Sequence, residues 1–501
     1  NLKCFPGLGD LAYFYISAVF LWNGLVSATL FLYGYVLSDS VVGGLLSVSC
    51  FFFNHGECTR VQWTPPLRES FAYPLFLCEM LTVTLTLRYQ EKQWKNVLAI
   101  AVISGCFILA WQFAQFALLT QTLAVLGVYL VGQISKSTFQ RILLGQMAGL
   151  ILGYSLLFGN QMLLASFYPT ALITCFIICM LEPQFNRLKW SVVRWVSQLV
   201  VLGVGSVGLK ALSSALLRVK DDAHIWNILR SKFSNYRDFH TMLYTCAVEF
   251  DFMEKETPLR LAKTLVLPMA FLVIVVVTVQ VAYNILQLCA FTIMAVLIMR
   301  LKLFFTPQLC LIVSLLSSRK FFGFIHSIKL HYAGTAIILC LMSIQGIQNI
   351  QHQRSILGEY SNPSLEELIE WVNSTTSQDA VFAGPMPTMA NLMLSSRRPI
   401  INHPHYEDAG LRERTQKVYT IYSRKSPDET YHQLKKLGAQ FVVLDTKWCF
   451  GKSREGCGMG DVWDVEDPVN RNQEMVCQRL LRKPLPFKQV FRNNEYAVLK
   501  L

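Results

Sequence analysis

Long apolar blocks separated by short polar breaks run through the first 350 residues and then stop. They fall near 11–36, 40–55, 71–88, 97–113, 115–133, 142–158, 161–181, 192–216, 263–283, 284–300, 303–318 and 333–350. A bilayer span needs roughly 20 apolar residues, so the pattern predicts about twelve transmembrane helices. The blocks at 40–55, 97–113 and 303–318 are short enough to tilt or re-enter. Beyond residue 354 the period changes. Leu365, Leu368, Ile369 and Val372 share one helical face. Residues 380–384 read as a short buried strand, 428–436 as a helix stopped by Gly438, and 440–444 and 494–499 as strands. The chain therefore divides into a multispanning region, 1–354, and a small α/β domain, 355–501.

Composition sharpens this picture. Hydrophobic residues make up 53%, charged residues only 15%, and mean hydropathy is +0.38. Soluble domains carry roughly 25% charged residues, so an ordinary soluble enzyme is excluded. The net charge of +13 resides almost wholly in 1–354, which holds 26 Lys+Arg against 14 Asp+Glu, whereas 355–501 holds 19 against 18. Basic charge packed between apolar blocks orients spans, and no nucleic-acid partner is expected. One set of alternate loops carries Arg88, Lys92, Lys95, Lys136, Arg141, Arg187, Lys189, Arg194, Arg319, Lys320 and Lys329, and is read as cytosolic. The loops 54–70 and 217–262 and the C-terminal domain then lie on the luminal side. Asn373-Ser374-Thr375 is an N-glycosylation sequon and agrees with that side. Cys449, Cys457 and Cys477 in the same domain allow one disulfide, with the third thiol left over or paired elsewhere.

Candidate chemistry gathers at the luminal edge. The loop 54–70 holds His55, Glu57, Arg60, Arg68 and Glu69 between two apolar blocks, stiffened by Pro65-Pro66. Charge at a bilayer boundary is costly unless paired or functional, and arginine grips phosphate with a planar fork of donors. Interfacial anchoring and Glu–Arg pairing is the plainer account of the same residues. A second cluster begins Asp221-Asp222-Ala223-His224, a set with acid–base potential but without a further ligand at metal spacing. No metal site is expected. Trp111-Gln112-Phe113-Ala114-Gln115-Phe116 reads as a helix–helix seam or as the lining of a path for lipid or sugar.

Several runs have a familiar form: NHGECTRVQWTPPLRESFAYP at 54–74, WQFAQFALLTQ at 111–121, DDAHIWNILRSKF at 221–233, LYTCAVEFDFMEKETPLR at 243–260, MRLKLFFTP at 299–307 and NHPHYEDAGLR at 402–412. Together they resemble the Dpy-like protein C-mannosyltransferase family over nearly the whole chain. The resemblance implies a polytopic α-helical membrane protein, a GT-C-type glycosyltransferase of the endoplasmic-reticulum membrane with a luminal α/β C-terminal domain. The implied reaction moves mannose from dolichyl-phosphate mannose to C2 of a tryptophan indole, in WxxW motifs of secretory or membrane proteins, without cofactor or metal. Arg60 is the first choice to hold the donor phosphate, with His55, Arg68 and His224 beside it. The family's acidic catalytic residue is expected in a luminal loop ahead of Asn1. Glu57 and Asp222 are the luminal carboxylates within this chain that stand as substitutes. The alternative reading is a non-catalytic relative that anchors partners at the endoplasmic reticulum or nuclear envelope.

Overall fold

A computed structural model describes residues 11–61, 67–89, 94–218, 223–277, 281–356, 362–404, 406, 408–451 and 453–501. These described residues form two compact units, one falling within 15–218 and 252–356, the other within 223–251 and 362–501. The polar stretch after the 191–217 helix thus belongs with the C-terminal domain. Sequence separation hid this, because the contacts that decide it are long-range.

In the first unit the described residues of the apolar blocks are mostly helical. Six described helices are long and apolar enough to cross a bilayer, and a bent pair, Glu256–Lys263 with Val266–Val276, makes up to seven. Val41–Phe53, Trp94–Ala110, Ala114–Leu130 and Ala282–Leu297 are shorter apolar helices. The centre of the unit is the 302–314 helix, buried at every residue from Leu303 to Ser314. Phe304 packs against Phe76, Phe291 and Trp111, with ring centroids 5.4–6.0 Å apart. Trp111 of the 111–116 run thus packs between helices, while Gln112 and Gln115 of the same run line a small pocket with Asn160 and Met162. Buried polar side chains join helices elsewhere in the unit: Tyr33 donates to Asn284 Oδ1 at 2.7 Å, and Gln146 donates to Gln121 at 2.8 Å. In hydrocarbon such bonds replace the water that an isolated helix would lack.

The second unit carries a four-stranded sheet: β1 (Phe382–Ala383), β2 (Phe441–Asp445), β3 (Lys488–Arg492) and β4 (Tyr496–Lys500), in the order β1-β2-β4-β3. β1 runs parallel to β2, and β4 runs antiparallel to both β2 and β3. The helices read around 365–372 and 428–436 form at Pro363–Thr375 and Pro427–Lys436. Gly438 ends the second at φ +80°, a conformation glycine adopts without steric cost. β3 was not legible in the sequence. It is an edge strand whose residues stay largely exposed, so it carries little apolar alternation.

Two disulfides close this unit. Cys449 pairs with Cys477, and Cys457 finds a distant partner in Cys246, 211 residues away. The three tail cysteines are thus all used, the third by the polar segment that precedes the 256–263 helix. Asn373 lies near the end of the 363–375 helix and is exposed.

Candidate functional site

The site lies within the first unit, where the chain leaves the 41–53 helix. Asn54 caps that helix, its Nδ2 donating to Cys50 O at 2.9 Å, and its Oδ1 accepts from Thr264 Oγ1 at 2.7 Å. One helical turn, His55–Cys58, then points Glu57 inward. Glu57 is only 7% exposed and Glu69 only 4%. Two buried carboxylates need opposite charge, since desolvating an unpaired one costs several kcal/mol.

Each carboxylate receives cations from distant sequence. Glu57 Oε1 lies 2.8 Å from Arg260 Nη1, and Glu57 Oε2 lies 2.8 Å from Lys302 Nζ. Thr257 Oγ1 donates to Glu57 Oε2 at 3.3 Å. Glu69 accepts from Arg300 Nε at 2.9 Å, and Arg60 Nη1 stands 3.8 Å from its other oxygen. Arg300 and Lys302, one residue apart from adjacency, thus serve different carboxylates. Burial alone would raise the Glu57 carboxyl. Lys302 and Arg260 outweigh it and hold the group below the usual glutamate range.

Local backbone geometry presents these cations. The helix 256–263 meets the helix 266–276 at 80°, and the corner is Leu265 with φ +60°. A left-handed non-glycine residue costs roughly 1–3 kcal/mol and marks a place where the fold imposes the turn. Lys302 begins the buried 302–314 helix directly after the single turn Met299–Leu301.

These elements enclose a cavity of about 480 Å³. That is within the roughly 300–1,000 Å³ of small-molecule sites. Arg260, Lys263 and Lys302 line it with Glu57 and His55, so three permanent cations face one carboxylate on the lining, Arg260 also pairing with the exposed Glu256 at 2.7 Å. Gln345, Asn349 and Gln353 of the helix 328–355 complete another part of the wall. Such a lining suits a phosphate or phosphate ester. Among the described residues no three His, Cys, Asp or Glu side chains are grouped to hold a metal ion.

The structure thus brings Glu57 and His55 to the cavity. Arg60 is not among its lining residues and sits at Glu69 beside Arg300. Arg68 opens the 68–89 helix, half-buried, and does not line the cavity. Asp222 and the side chain of His224 lie outside the described residues, as do Pro65 and Pro66. The reading of individual residues missed Arg260, Lys263, Arg300 and Lys302. A signal existed: Arg300 and Lys302 are isolated charges between two apolar blocks, where a charge is expensive without a partner.

Long apolar helices with buried ion pairs among them, and a second, α/β unit, make this a polytopic membrane protein of the GT-C glycosyltransferase fold. The apo crystal structure of the Archaeoglobus fulgidus oligosaccharyltransferase superposes with a TM-score of 0.58 over 88% of this chain, at 11% sequence identity. This chain spans 59% of that protein's length. The oligosaccharyltransferase AglB from Archaeoglobus fulgidus, in complex with an inhibitory peptide and a dolichol-phosphate, superposes with a TM-score of 0.56 over 85% of this chain and 58% of that one, at 11% identity. The chain belongs to the Dpy19 family, described as Q-cell neuroblast polarisation, whose model matches residues 1–282 and 277–501. It is 47% identical to human protein C-mannosyl-transferase DPY19L1, over 99% of this chain and 77% of that one. The mouse DPY19L1 protein is 46% identical over 99% and 70%, and the Caenorhabditis elegans C-mannosyltransferase dpy-19 is 38% identical over 99% and 77%.

Proposed function

We propose that this chain transfers mannose from dolichyl-phosphate mannose to C2 of a tryptophan indole in secretory or membrane proteins, the tryptophan lying in a WxxW motif. The site works at the luminal face of the endoplasmic-reticulum membrane, with the 355–501 domain in the lumen. The observation that carries the reading is the cationic cavity, in which Arg260, Lys263 and Lys302 outnumber Glu57. Relatives named C-mannosyltransferases, of which this chain spans 77%, support the reaction, and a solved protein of this fold holds a dolichol-phosphate.

In this reading the donor phosphate occupies the cavity and its oxygens take hydrogen bonds from the guanidinium and ammonium groups. The indole C2 attacks the anomeric carbon, a C–C bond forms, and the bond from that carbon to the phosphate oxygen breaks. Dolichyl phosphate leaves with the electron pair, and the C2 proton departs to a base. Charge grows on the leaving phosphate, so fixed cations already in place stabilise the transition state more than the ground state. They do the electrostatic work that a metal ion does in other phosphate-leaving reactions. Glu57, held ionised by two cations, is a poor proton acceptor. Its part is to keep Arg260 and Lys302 in position.

The test is incubation of membranes carrying this chain with dolichyl-phosphate mannose and a WxxW peptide, read by mass spectrometry. One hexose on tryptophan, lost in Lys302→Met and Arg260→Ala, is expected. Well-folded protein that binds no dolichyl-phosphate mannose and yields no modified tryptophan overturns the proposal.

A further inference from the structure

The cavity carries a second kind of chemistry that phosphate does not use. Gln345, Asn349 and Gln353 stand four residues apart on the helix 328–355, so they share one face. All three line the cavity, and none carries charge. Asn349 is already committed. Its Nδ2 donates to Phe53 O at 2.8 Å, and its Oδ1 accepts from Gln345 Nε2 at 3.0 Å. These bonds tie the polar face to the end of the 41–53 helix and fix its position.

Gln353 differs. Its Oε1 is buried and has no hydrogen-bond partner among the described residues. Its Nε2 lies 3.3 Å from where a β-carbon on Gly56 would sit, so the amide is packed against the turn that carries Glu57. A buried carbonyl oxygen without a donor is unfavourable, and native sites resolve it with a ligand or a water. A phosphate oxygen ionised at neutral pH is an acceptor and cannot satisfy it. A sugar hydroxyl can, because it donates. Cations for the phosphate and an unsatisfied amide acceptor for a hydroxyl thus occur in one cavity.

We infer that Gln353 is the sugar-reading residue of the lipid-linked donor, accepting a hydrogen bond from a hexose hydroxyl on a platform fixed by Gln345 and Asn349. The inference rests on the cavity being the donor site. Gly56 serves the same end by leaving room for the amide, and Gln353 takes no part in holding the phosphate.

The experiment measures binding of three lipids to the full chain in nanodiscs: dolichyl phosphate, dolichyl-phosphate mannose and dolichyl-phosphate glucose. Wild type is expected to bind the mannosyl lipid more tightly than the bare phosphate. Gln353→Leu is expected to lose about 5-fold in affinity for the mannosyl lipid, a neutral hydrogen bond's worth, with the bare lipid unchanged. Gly56→Ala, whose β-carbon would stand 3.3 Å from the amide nitrogen and press it aside by a few tenths of an ångström, shifts the ratio in the same direction by a smaller amount and guards against a folding defect in the first variant. Lys302→Met weakens all three lipids together. An unchanged mannosyl-to-bare ratio in both the Gln353→Leu and Gly56→Ala proteins overturns the inference and leaves the donor reading intact. Failure of wild type to bind any of the three lipids overturns both.

Discussion

Lys302 Nζ lies 2.8 Å from Glu57 Oε2, although 245 residues separate them in sequence. The contact brings the turn after the 41–53 helix onto the first residue of the buried 302–314 helix. Arg260 completes the pair from a third element at 2.8 Å. The carboxylate is thereby a three-way junction between elements that the chain presents far apart.

Removing one arm of this junction has a signed consequence. Lys302→Met leaves a buried Glu57 with only the half-exposed Arg260 to balance it. We expect a stability loss of up to about 3 kcal/mol, because a buried charge has lost a partner. The double variant Glu57→Gln with Lys302→Met recovers much of that loss without recovering donor affinity. Thermal unfolding in detergent together with lipid binding checks both parts. Equal stability of the single and double variants would show that the pair is energetically idle.

The same junction sets a pH dependence. The folded-state Glu57 carboxyl is held below its ordinary value by Lys302 and Arg260 against the effect of burial. Its stabilisation is therefore fully present above the unfolded value, about pH 4.3, and is lost as pH falls through the lower folded value. The difference in melting temperature between wild type and Glu57→Gln should be constant from pH 7 to about 5 and shrink in more acid solution. A difference that grew on acidification would contradict the sign.

The Cys246–Cys457 bond joins two residues of the second unit that stand 211 residues apart, and the loop it closes includes residues 252–357 of the first unit. Cys246→Ser should cost that unit ~2–4 kcal/mol, since the unfolded chain regains the freedom that the crosslink removes. Limited proteolysis between residues 446 and 460, with and without reductant, reads this out. Both disulfides require an oxidising compartment, so their detection in peptides digested without reduction also checks the luminal placement.

Asn373 offers an independent check of that placement. Its side chain is exposed on the 363–375 helix. We expect a mobility shift removable by endoglycosidase and absent in Asn373→Gln. An unmodified Asn373 in well-expressed protein would count against a luminal C-terminal domain.

Sequence patterning determined the helices and most of the strands, because apolar period and length are local properties. The apolar blocks are mostly helical among the described residues, and Gly438 stops its helix where the turn residue stands. It also located the loop 54–70 as chemically dense, since five ionisable residues between apolar blocks are costly by position alone. Which cations meet which carboxylates was decided only by tertiary structure. Arg60, the nearest guanidinium in sequence to Glu57, pairs with Glu69, while Arg260 and Lys302 reach Glu57 from elements 200 residues away or more. An ion pair depends on distance in space, and the sequence carries a side chain's charge but not its neighbours. The third tail cysteine shows the same division: its reactivity is intrinsic, but its partner Cys246 is supplied by the fold.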